Sequence, residues 1–181
     1  MPSSIAHSVS GYVVSQFFPP EERTSQWSKR RLIQILYVVF VANAPDLDFV
    51  PQVLMGERYH HGLTHSLTFA IGFTVLTWMA CYFLANRLSK RLFLLTLILY
   101  SSHLFLDSFT AGGEGIQLLW PFTDRHFKSP IAIFPRVPWD TPLFHFDHFL
   151  FISFELGYSV ALLGLLRLLK NRKGKETQGL V

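Results

Sequence analysis

The sequence predicts an all-α protein: an integral membrane helical bundle of about five helices, two of them short, closed on one side by an aromatic cap rich in proline and glycine. Three observations carry this. Half of the 181 residues are hydrophobic, the mean hydropathy is +0.30 and 18 residues are Phe, more apolar mass than a soluble core of this size needs. The apolar residues fall into runs bounded by prolines and charges, as in helices that meet lipid. The basic residues border those runs in three short clusters.

The length is that of one ordinary domain. Residues 1–181 therefore read as a single membrane-embedded unit, with 110–148 as a cap loop and 170–181 as a basic cytoplasmic tail. The net charge of +4 and pI near 9.4 fit a nucleic-acid partner less well than they fit membrane topology, so no nucleic acid is expected. Cys81 is the single cysteine, which excludes an intramolecular disulfide. Met1 to Phe18 lacks a basic start and carries His7 and Gln16; a cleaved signal peptide is not expected, and the spans themselves should direct insertion.

The first helix is predicted over Ile5 to Phe18, stopped by Pro19 and Pro20, and the second over Leu32 to Ala44, stopped by Pro45. Both are short enough to be interfacial or re-entrant. The third, Ser66 to Asn86, and the fifth, Phe149 to Leu169, approach the ~20 apolar residues that cross a bilayer at a rise of about 1.5 Å per residue. The fourth covers Leu92 to Phe109, and the polar stretch Asn86 to Arg91 predicts an antiparallel hairpin with the third. Thr110 to Asp147 holds Gly112, Gly113, Gly115 and five prolines from Pro121 to Pro142. It reads as an ordered cap, with Trp120, Phe122, Phe127, Phe134, Trp139, Phe144 and Phe146 as headgroup-level anchors.

In a five-helix zigzag, Arg23, Lys29, Arg30, Arg31, Arg87, Lys90, Arg91, Arg167, Lys170, Arg172, Lys173 and Lys175 share one side, 12 of the 16 basic residues. Arg58, Arg125, Lys128 and Arg136 take the other. The richer side is predicted cytoplasmic, which puts the C-terminus inside and the N-terminus outside. All eight histidines, His7, His60, His61, His65, His103, His126, His145 and His148, then fall at the outward side, although they played no part in the charge count.

Two groups of these residues point to chemistry. Asp46 and Asp48 follow Pro45 at a helix end, and His60, His61 and His65 lead into the third helix. Carboxylates and imidazoles beside hydrocarbon are costly unless paired or coordinated, and together they suit zinc or manganese. His103 and Asp107 are four residues apart in a helical run, so they share a face and can hold one ion. Taken alone that pair reads as a structural hydrogen bond; beside the first group it reads as a site. His145, Asp147 and His148 lie where the cap re-enters the membrane and fit a further metal site, a phosphate contact or an interfacial marker. Glu155, inside the last apolar run, reads as a neutral hydrogen-bonded glutamate, a remote ligand or a proton relay.

The ordered set Pro45-Asp46-Leu47-Asp48, His60-x-Gly62-x-Thr64-His65-Ser66, His103-x-x-x-Asp107, Gly115 and Trp120-Pro121-Phe122 resembles the inner-membrane-associated metal-dependent hydrolases of bacteria and archaea. The likeness runs up to about Phe122 and implies a multi-pass membrane protein of the bacterial or archaeal inner membrane with a metal-dependent hydrolase site. The commonest form of the central motif has Arg at the position of His61. In ligand order, His7, Asp46 or Asp48, His65, then His103 with Asp107 is similar to the zinc-dependent phospholipase C and P1-type nuclease group, with His145 or His148 and Glu155 as later members.

These readings lead to one expectation: a membrane-bound metal-dependent hydrolase, a phosphoesterase acting on a phospholipid or lipid-linked phosphate through metal-activated water at the outer face. Its cofactor would be a divalent metal, zinc first and manganese second, in one to three ions. His7, Asp46, Asp48, His60, His65, His103 and Asp107 are the expected ligands, with His61, His145 and His148 as additional candidates. Asp46 and Asp48 are the catalytic candidates, and Thr64 and Ser66 would orient ligands. The expected partners are membrane lipid and a lipid or phosphate-ester substrate; oligomeric state stays open. The rival classes are a metal-ion transporter or sensor and a membrane scaffold with a structural metal site.

Overall fold

The computed structural model describes residues 2–18, 27–49, 62–86, 88–138, 141–142 and 144–178. Among them are five α-helices and no strand: α1 (Ser4–Ser15), α2 (Trp27–Asn43), α3 (Leu67–Ala85), α4 (Lys90–Ser108) and α5 (Phe146–Gln178), with 3-10 turns over Ala44–Asp48 and Leu63–His65. The all-helical expectation and the count of five hold for these residues.

Local chemistry sets most boundaries. Ser3, Ser66 and Ser89 cap α1, α3 and α4, each accepting a backbone N–H with its hydroxyl. Asn86 closes α3 in the left-handed region at φ 50°, a conformation that asparagine tolerates, and Ser89 starts α4 three residues later. The predicted hairpin follows. Pro45 ends α2 but continues the chain as a 3-10 turn, because proline fits the first turn of a helix.

Several helix ends differ from expectation. α2 begins at Trp27 rather than Leu32, and α5 runs from Phe146 to Gln178 rather than Phe149 to Leu169. Lys, Arg, Glu and Gln are good helix formers, and cations are favoured near a helix C-terminus as Asp147 is near an N-terminus. A polar residue ends an apolar run without ending a helix. Conversely, α1 stops at Ser15, three residues before the predicted end, its last turn closing with the Gln16 N–H on the Val13 carbonyl at 3.1 Å.

α1 packs on α2, α4 and α5, α2 on α4, and α3 on α4. The core centres on Val38 and Val41 of α2, Ala70 of α3, and Leu95, Leu99 and Leu104 of α4. Gly11 permits the crossing of α1 and α2, since a Cβ there would stand 2.8 Å from the Ala42 Cβ. Leu67–Leu84 and Phe146–Arg172 are long and apolar enough to cross a membrane, and only 11% and 22% of their residues are buried. A helix that is apolar all round and mostly uncovered needs a non-aqueous neighbour.

The cap is stitched rather than regular. Ile116 and Phe127 pair through two backbone bonds, Phe134 bridges Thr110, and the Leu67 N–H donates to the Leu118 carbonyl at 2.9 Å. Gly115 is required there: its φ is +97° and a Cβ would lie 2.4 Å from the Phe127 carbonyl oxygen. Of the expected headgroup anchors, Phe122 and Phe144 are fully outward, at 85% and 102% exposure, whereas Phe134 is 3% exposed. It packs edge-on against Phe154 and Tyr158 of α5, because its bridge to Thr110 turns it inward. Trp139 lies outside the described residues.

Candidate metal centre

The starts of α1, α3 and α5 and the ends of α2 and α4 lie at the capped side. Four residues from three of these ends converge. Asp46 comes from the turn after α2, His65 from the turn before α3, and His103 and Asp107 from one face of α4. One potential ligand atom from each lies within 4.8 Å of all the others. His65 Nε2 is 3.6 Å from Asp46 Oδ1 and 3.2 Å from Asp107 Oδ2; His103 Nε2 is 3.4 Å from Asp46 Oδ1 and 3.3 Å from Asp107 Oδ2. A tetrahedral shell with ligands at ~2.0–2.1 Å has edges of roughly 3.3–3.4 Å. The four nitrogen–oxygen separations, 3.2–3.6 Å, lie close to that spacing.

The satisfaction of these atoms supports the same conclusion. Both oxygens of Asp46, both oxygens of Asp107 and Nε2 of His103 are buried without a hydrogen bond of acceptable geometry. Buried polar atoms without partners are costly, and five of them in one place with two carboxylates and two imidazoles fit a divalent cation. His103 Nδ1 donates to the Ala42 carbonyl at 2.7 Å, so its Nε2 is turned to the cluster. His65 Nδ1 lies 3.2 Å from Asp48 Oδ2, which also accepts the Thr64 hydroxyl at 2.8 Å. A carboxylate only accepts, so His65 donates there and turns Nε2 inward.

Electrostatics follow from this arrangement. Burial alone would raise the Asp46 carboxyl, but the His103 and His65 imidazoles outweigh it and hold the group well below the ordinary carboxylate range. Burial alone would lower His65, but Asp107, Asp46 and Asp48 outweigh it and raise the imidazole well above its ordinary value.

His7 joins from α1. It is 1% exposed, its ring stacks on His103 with centroids 3.7 Å apart, and its Nε2 is 3.3 Å from Asp107 Oδ1. Both its ring nitrogens lack a hydrogen bond. Asp107 thus offers Oδ2 to His65 and His103 and Oδ1 to His7. Asp48 and Thr64 stand one layer out, behind His65. Ser66 caps α3 through the Phe69 N–H and donates to the Leu63 carbonyl. His145 pairs with Asp147 at 3.2 Å and His148 faces Thr141 at 3.2 Å; neither is in the cluster. His60 and His61 lie outside the described residues.

Two groups at the site carry no motif. Tyr100, fully buried, donates to the Thr64 carbonyl at 2.8 Å and fixes the His65 turn to α4. Its place three residues before His103 puts it on the same helical face, the one signal that the sequence holds for it. The Ala42 carbonyl that orients His103 leaves no sequence signal, being backbone.

The chain matches the YdjM inner membrane protein family over residues 1–175 and belongs to that family. A relative from Escherichia coli (strain K12), inner membrane protein YbcI, is 34% identical over 108 residues, covering 55% of this chain and 60% of its own length. No solved structure matches. The family and the two apolar helices support a location in the bacterial inner membrane; these names carry no activity.

Proposed function

We propose that this member of the YdjM inner membrane protein family is a membrane-bound metal-dependent hydrolase, a phosphoesterase that acts on a phospholipid or lipid-linked phosphate at the outer face of the membrane. One observation carries the reading: Asp46, His65, His103 and Asp107 meet within 4.8 Å, and the oxygens of Asp46 and Asp107 and Nε2 of His103 are buried there without a hydrogen bond of acceptable geometry. Two nitrogens and two carboxylate oxygens suit zinc, and manganese next.

A divalent ion held there supplies Lewis acidity, acidifying water and neutralising phosphate charge. The chain's own residues do the rest. Asp107, His65 and His103 hold the ion, with His7 beside Asp107. Asp48 and the Ala42 carbonyl keep the His65 and His103 rings turned inward. Asp46 has the most exposed side chain of the four, 15% against 0% for the others; it would complete the set of ligands and, as the carboxylate nearest solvent, would be the acceptor for a proton from water. The exposed apolar surface of α3 and α5 supports a lipid ester as the substrate, since it favours a centre close to the bilayer.

The test is hydrolysis by purified protein in mixed micelles, with phospholipids and a polyprenyl phosphate as substrates. Release of phosphate or a phospho-headgroup should require zinc or manganese and disappear in Asp46→Ala and His103→Ala. Metal flux into proteoliposomes without hydrolysis would replace this reading with transport.

A further inference from the structure

Glu155 is a carboxylate in the apolar stretch Phe146–Arg172, 2% exposed, and it is not in the metal cluster. It turns instead to the start of α1: Oε1 accepts the Ser3 N–H at 2.5 Å and Oε2 accepts the Ser3 hydroxyl. Ser3 is the cap of α1, and its carbonyl accepts the His7 N–H at 3.2 Å. One helical turn therefore separates the Glu155 contact from His7.

A carboxylate in a lipid-crossing helix is costly unless paired, and a helix N-terminus is where backbone donors and dipole favour negative charge. Two more contacts extend the seam between α1 and α5. The Ser10 hydroxyl meets the Tyr158 hydroxyl at 2.8 Å, and Lys170 Nζ donates to Gln16 Oε1 at 2.7 Å. Glu155 fixes the start of α1 and with it the depth and rotation of the helix. A slip of one residue would move His7 by about 1.5 Å along the axis and turn it by roughly 100°, enough to lose both its stack on His103 and its approach to Asp107.

We infer that Glu155 is a positioning residue: by clamping Ser3 it holds His7 against His103 and Asp107. The inference rests on the metal-centre reading proposed above, and it assigns Glu155 no ligand or proton-relay role.

The test is zinc affinity of the full chain in detergent, by competition with a chromophoric chelator, for wild type, Glu155→Ala, Glu155→Gln, His7→Ala and the His7→Ala/Glu155→Ala pair. Glu155→Ala should weaken zinc binding by about 10–100-fold. Glu155→Gln should stay within a few-fold, because an amide oxygen still accepts from Ser3. In the His7→Ala background Glu155→Ala should add nothing. Wild-type affinity in Glu155→Ala, or an equal loss with and without His7, overturns the inference. If His7→Ala binds no zinc, rescue by Glu155→Gln decides. If Glu155→Ala does not fold, Ser3→Ala decides: it should show a smaller loss that needs His7, and no loss overturns the inference. A wild type that binds no zinc defeats the metal centre itself, which separates the two failures.

Discussion

Replacing Asp48 with Asn separates orienting a ligand from being one. Asp48 is 7% exposed, accepts the Thr64 hydroxyl at 2.8 Å and faces His65 Nδ1 at 3.2 Å. The substitution keeps size and shape but removes the charge, and it can set an amide donor against His65 Nδ1. The His65 turn stays fastened by the Tyr100 hydroxyl on the Thr64 carbonyl, so the fold should persist. Loss of a partner behind a metal-binding histidine costs roughly 10–100-fold in affinity, or about 1.4–2.8 kcal/mol. Zinc competition with a chelator reads this directly. Unchanged affinity would show that Asp48 does not orient His65, and abolished binding in a folded variant would make Asp48 itself a ligand.

Three further expectations follow from the geometry. His65 is raised, so its share of ion-free stability is complete below the ordinary imidazole pKa and is lost as pH rises through the raised value; Asp46 is depressed, so its share is present above the ordinary carboxylate pKa and is lost as pH falls through the depressed value. The ion-free centre is thus most stable across the neutral range, and zinc must displace the His65 proton. Affinity should rise with pH and binding should release protons, measured by calorimetry in buffers of differing ionisation enthalpy; a pH-independent affinity contradicts this. Gly115→Ala forces a Cβ to 2.4 Å from the Phe127 oxygen at a φ of +97° and should cost about 2–4 kcal/mol in thermal unfolding, an unchanged Tm refuting the close approach. In a Cys81→Ser background, an impermeant maleimide should label Phe122→Cys from outside and Arg172→Cys only after lysis; the reverse pattern overturns the sidedness expected from the basic residues.

The sequence made the long apolar helices legible because length and hydropathy are local properties, and His103 with Asp107 because a four-residue spacing fixes a helical face. It could not divide Asp46 from Asp48. Two carboxylates two residues apart in a 3-10 turn point to opposite sides of His65, one into the cluster and one behind the ring, and only the path of the turn decides which. His7 sits on a short helix with little pattern of its own, and the crossing permitted by Gly11 carries it into the site. The Glu155–Ser3 contact joins residues 152 positions apart, beyond any spacing rule. His145 and His148 stayed open between ligand, phosphate contact and interfacial marker, and in the fold they face Asp147 and Thr141, away from the cluster.

The central claim is that these buried, unsatisfied atoms hold an ion, and elemental analysis of the purified protein tests it most directly. Zinc or manganese at one or more ions per chain, lost in Asp107→Ala and His65→Ala variants that still fold, is the predicted result. A metal-free protein of normal thermal stability, with no uptake on adding zinc or manganese, would contradict it.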